Sequence, residues 1–111
     1  MRISIILFLA SALSNVSGLP GGVSEPKRFS VNNPDPQQGQ ALNALYAAEW
    51  SGALGDLSEH YLYPISYAVQ VVSGIKYYIV VEDELGEFFR IVLWVKPATV
   101  IPVVISITVD L

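Results

Sequence analysis

The chain has 111 residues, enough for one compact domain and too few for two. Apolar residues make up 52 % and charged residues 14 %, which excludes a disordered chain and suits a buried core. Cysteine is absent, so a thiol nucleophile, a redox role, disulfides and a thiolate metal site are excluded, and stability must come from the core alone.

The N-terminus reads as a targeting segment. Met1-Arg2 is a short basic start, Ile3 to Ala12 is almost continuously apolar, and Val16-Ser17-Gly18 offers small residues for cleavage. The run is well short of the ~20 apolar residues of a spanning helix. Residues 1–18 are therefore expected to be a secretory signal, and the mature protein to be extracellular. Loss of Arg2 leaves 5 basic residues (6 − 1) against 10 acidic ones, a formal charge of −5. No basic patch remains to hold phosphate backbones or anionic lipid, so neither nucleic acid nor a membrane is an expected partner.

Residues 19–34, rich in Pro, Gly, Ser and Asn, read as an extended arm that ends before the domain of residues 35–111. A short strand is expected near Arg28 to Val31. Asp35 suits an N-cap, Pro36 the first helical position, and Gln38 the return arm of a capping box. The predicted helix runs from Gln37 to about Ser51. Leu42, Leu45, Tyr46 and Trp50 form its expected buried stripe, the alanines keep it slim, and Gly52 and Gly55 stop it.

From Tyr61 the apolar period becomes two. Four runs alternate, through Ile65–Val71, Ile75–Val81, Phe88–Val95 and Val103–Val109, joined by short connections. They predict an antiparallel meander with an Ile- and Val-rich face for the helix. The fold class is α+β, one helix across a four- to five-stranded antiparallel sheet. Glu82, Asp83, Glu84 and Glu87 cluster at one predicted hairpin and are expected to be a solvated end.

An enzyme has little to stand on. His60 is the sole histidine, so no Ser-His-acid triad and no metal-ligand set can be assembled, and no cofactor or metal is expected. Binding has more support. The turns at Gln70 to Gly74 and Lys96 to Thr99 fall at the same end of a meander, and the N-terminal arm can reach that end. Taken singly, each is ordinary turn chemistry or a flexible arm.

In order, however, the segments resemble the cystatins, inhibitors of papain-like cysteine proteases. Leu19-Pro20-Gly21-Gly22 resembles the N-terminal trunk of the secreted members. Gln70-Val71-Val72-Ser73-Gly74 and the following Ile75-Lys76-Tyr77-Tyr78 resemble the first inhibitory loop and its strand. Trp94-Val95-Lys96-Pro97 is similar to the W-x-x-P before the second loop, and the helix start is similar too. The resemblance spans nearly the whole mature chain. It implies a cystatin-like fold and a wedge of Leu19, Pro20, Gly21, Gly22, Gln70, Val71, Val72, Ser73, Gly74, Pro97 and Ala98 that enters a protease cleft reversibly.

Three departures stand out. Pro97 is followed by Ala98 where the family usually has Trp. The usual two disulfides and the long segment between the third and fourth strands are missing. The loop Ala53 to Ser58 lacks the Asn of the family's separate legumain site. The expected partners are thus cathepsin-type proteases, and the alternative is a secreted cystatin-fold interaction protein that has lost inhibition. A monomer is expected, with strand exchange at the first hairpin left open because Val71 and Val72 favour extended backbone.

Overall fold

The computed structural model describes residues 22–32 and 35–110. The expected signal, residues 1–18, lies outside them. Strand β1 (Lys27–Arg28) is followed by helix α1 (Pro36–Trp50) and a 3₁₀ turn (Gly55–Glu59). Strands β2 (Tyr63–Val72), β3 (Gly74–Glu82), β4 (Phe88–Val95) and β5 (Val103–Val109) complete the chain. The five strands form one antiparallel sheet in the order β1-β2-β3-β4-β5, with α1 against one face. This is the expected α+β class. Among the described residues no helix is long and apolar enough to cross a membrane.

The expected short strand is two residues, Lys27 and Arg28, and Phe29 to Val31 lie outside it. Helix α1 starts as its residues dictate. The Asp35 side chain accepts the Gln38 N–H at 2.8 Å, and Pro36 opens the first turn. The capping box is only half made. Gln38 turns to the arm instead, its Nε2 donating to Ser30 O and its Oε1 accepting Ser30 N–H. A side chain that ties the arm to the helix satisfies two backbone groups at once, more than the return arm of a box would.

The buried stripe is also corrected. Ala41, Ala44, Leu45 and Ala48 face the sheet, whereas Tyr46 is exposed and Trp50 is 85 % exposed. Apolar residues encircle this helix, so periodicity alone cannot choose a face. The alanines win because small side chains let α1 lie close over Ile79, Ile91 and Leu93, all fully buried. Removing such a side chain from water contributes roughly 1.5–3 kcal/mol. Tyr67 fastens the two layers: its hydroxyl donates to Asp35 Oδ1 at 2.9 Å, and its ring lies 4.8 Å from that of Phe29.

Gly52, with φ +80°, stops the helix just after its C-cap Ser51, whereas Gly55, with φ +63°, instead opens the 3₁₀ turn. At the far end, the acidic hairpin is not wholly solvated. Asp83 is 3 % exposed, because its Oδ1 accepts the N–H groups of Leu85 and Glu87 and shapes the turn.

Candidate functional site

Register places the β2–β3 and β4–β5 connections, the first and second loops, at one end. Only Ser73 separates Val72 from its pairing partner Gly74, and β4 delivers Lys96 to Ile101 beside it. The Asp83–Glu87 turn lies at the opposite end.

The arm joins this end. Val23 bridges Gln70, Ser24 N–H donates to Val69 O at 2.8 Å, and Val69 N–H donates to Ser24 Oγ at 2.9 Å. The bridge between Val23 and Gln70 is antiparallel. Gly22 is exposed beside the hairpin. Leu19, Pro20 and Gly21 lie outside the described residues.

Within the hairpin, Gln70 is half-buried and its Oε1 accepts the Tyr78 hydroxyl at 2.6 Å. That bond holds the end of β2 against β3. Val71 is 62 % exposed, Val72 is partly buried and Ser73 is exposed. Gly74 is required twice over. Its φ of +90° is left-handed, and a Cβ there would collide with Val95 O and stand 3.1 Å from Lys96 Cα and Pro97 Cδ. The first hairpin thus rests on the backbone of the second loop.

A side chain locks that contact. Trp94 Nε1 donates to Ser73 O at 2.8 Å, and Lys96 Nζ lies 5.1 Å from the Trp94 ring centroid. In the second loop, Thr99 N–H and Oγ1 both donate to Lys96 O, at 3.3 and 2.8 Å. Pro97 takes the second position of this turn and Ala98 the third, both exposed. Ala98 has φ +63°, where glycine is the usual occupant.

Gly22, Gln70, Val71, Val72, Ser73, Gly74, Pro97 and Ala98 therefore share one end of the sheet. Of the described residues in the two loops and the strand ends beside them, Lys76 and Lys96 carry charge. The rim at the loop tips is apolar and rich in exposed backbone.

Trp94 and Tyr78 belong to the candidate site by geometry, and the sequence reading did not place them in it. Their signal was phase. Both stand on the non-core side of their strands, near the loop end, where a large aromatic lacks a core reason. Val100 and Ile101 are also exposed and apolar in the second loop. Val100 borders a recess of about 240 Å³ with Ala44, Ala47 and Val95, so it faces the helix side.

At the opposite end His60, Asp83 and Glu84 place potential ligand atoms within 4.8 Å of one another. These atoms are already engaged. His60 Nδ1 pairs with Glu84 Oε2 at 2.8 Å, and Tyr61 N–H donates to Glu84 Oε1. Hydrogen bonding to Glu84 raises the His60 pKa, and backbone hydrogen bonding followed by His60 lowers that of Glu84.

No protein-family model matches the chain, and no characterised protein matches it in sequence.

Proposed function

We propose that the protein is a secreted, cystatin-type, reversible and competitive inhibitor of papain-like cysteine proteases, and not itself an enzyme. What carries this reading is the clamp between Ser73 and Trp94, with Gly74 seated on Val95: two loops held together beside an arm bridged to Gln70, with no charge from Val71 to Gly74 or at Pro97 and Ala98.

The physics of such a wedge is direct. Leu19 and Pro20 would fill unprimed subsites, and Gly21 and Gly22 would let backbone approach without a side-chain clash. Val71, Val72 and Ser73 would cover the catalytic thiol without offering it a scissile bond in line. Because Ser73 O is already held by Trp94, little loop freedom remains to be lost on binding.

Titration of papain or a cathepsin with the protein tests this. Tight, reversible, competitive inhibition is expected, weakened by deletion of Leu19 to Gly21. No inhibition at about micromolar concentration would sink it, since such a wedge must exceed roughly −8 kcal/mol to act.

Ala98 favours a second reading, a cystatin-fold interaction protein without inhibitory activity. An exposed methyl group stands where an aromatic anchor would supply about 2 kcal/mol or more. Capture of partners unrelated to proteases, together with failed inhibition, would select it.

A further inference from the structure

We propose that the free edge of β5 pairs antiparallel with β5 of a second copy, giving a two-fold dimer with one continuous ten-stranded sheet. Among the described residues, strand β5 has a neighbour only in β4. Its seven residues, Val103–Val109, carry no charge and no proline, and Ile105, Ile107 and Val109 are 47, 37 and 51 % exposed. Edges of monomeric sheets are usually blunted by lysine, proline, a bulge, shortness or a cover; among the described residues this edge has one register irregularity, at Ile105, and none of the others.

The register follows from the backbone. Asp110 N–H donates to Phe88 O at 2.8 Å, so residues in phase with it, Thr108 and Ser106, bond towards β4. Ile107 and Val109 then direct their N–H and C=O groups to the open side. A two-fold axis through Ile107 pairs Ile107 with itself and Ser106 with Thr108, the regular stretch of the strand beyond the irregularity at Ile105, which the β4 ladder skips between Val104 and Ser106. From Ser106 to Thr108 the strand is thus complementary to its own copy, like facing like in polarity. Asp110 does not oppose this, because its carboxylate is tied to Arg90 at 3.2 Å.

The occupant is a second copy because the sheet's other edge is unsuitable. There β1 offers two residues, Lys27 and Arg28, both basic and exposed. Head-to-tail growth of β5 onto β1 has almost no ladder to form, so pairing closes at two chains. An axis normal to the sheet keeps both helices on one face. Ile107 pairs with buried Ile91, and Val109 with Phe89, yet α1 leaves both uncovered. In the pair, the same two residues of the second copy close that strip. The loop ends of the two copies point in opposite directions, so the dimer leaves both candidate wedges free.

Because the chain lacks cysteine, Ile107→Cys creates its sole thiol. A hydrogen-bonded antiparallel pair spaces its Cα atoms at about 5.5 Å, within disulfide range. In the chain from Leu19 onward, which holds every described element, Ile107→Cys should oxidise to a covalent dimer far faster than Val31→Cys on the exposed arm. Sedimentation of the unsubstituted chain should show a monomer–dimer equilibrium near about 100 µM, as fits a small interface. Ile107→Lys should weaken it at least about tenfold. Equal oxidation of the two cysteine variants would overturn the proposal even if the lysine variant folded poorly. A dimer that persists in a folded Ile107→Lys chain would overturn it too, and point to strand exchange at the first hairpin.

Discussion

The indole of Trp94 donates a 2.8 Å hydrogen bond to the carbonyl oxygen of Ser73, joining the base of the second loop to the tip of the first. Two segments 21 residues apart thereby share one position. A backbone carbonyl at a hairpin tip would otherwise be bound by water and free to move. Trp94→Phe keeps most of the ring and deletes the donor. It should cost about 1 kcal/mol of stability, the usual net worth of one hydrogen bond. Protease inhibition should weaken with it. Urea denaturation and an inhibition titration on the same variant check both, and unchanged inhibition would separate the clamp from the function.

Gly74 is the backbone counterpart of that clamp. Gly74→Ala meets both a left-handed φ of +90° and the Val95 carbonyl. The left-handed cost alone is roughly 1–2 kcal/mol, and the collision adds to it. The melting temperature should fall by several degrees. A variant as stable as the parent would mean that the two loops can part without loss.

Ala98 holds φ +63° without being glycine. Ala98→Gly relieves the left-handed cost but loosens the unfolded chain, so the net gain should be about 0.5 kcal/mol. Ala98→Trp acts differently. It leaves stability near the parent value and adds an aromatic anchor at an exposed tip, so inhibition should tighten by about tenfold or more. Thermal denaturation and inhibition constants for the two variants distinguish strain from contact.

The His60–Glu84 pair sets a pH window. The His60 pKa is raised in the folded protein, so its contribution is fully present below the unfolded histidine value and is lost as pH rises through the folded one. The Glu84 pKa is lowered, so its contribution is present above the unfolded glutamate value and is lost as pH falls through the folded one. The pair should therefore stabilise most between the ordinary glutamate and histidine values. His60 is the sole histidine, so one NMR titration reads it directly. Glu84→Gln should move its midpoint down, and a midpoint that stays put would show that the pair is not held in solution.

Much of the fold was legible in the residues. Asp35 and Pro36 can do little else than start a helix, because one supplies an acceptor and the other lacks a donor. The alternation from Ile65 to Val109 fixes four strands, because period two is the geometry of a pleat. The site was legible as three separate segments whose order resembled a family.

Other features needed the third dimension. With apolar residues around α1, only packing against Ile79, Ile91 and Leu93 could select the alanine face over Trp50. Gln38 left its capping box because the arm came within reach. Trp94 belongs to the site only because β3 and β4 carry Ser73 to its indole, a meeting of two residues that no spacing encodes. Sequence by itself determined the local elements, which depend on neighbours in the chain. Tertiary structure decided which faces are buried and which loops touch, because those depend on contacts between residues far apart along it.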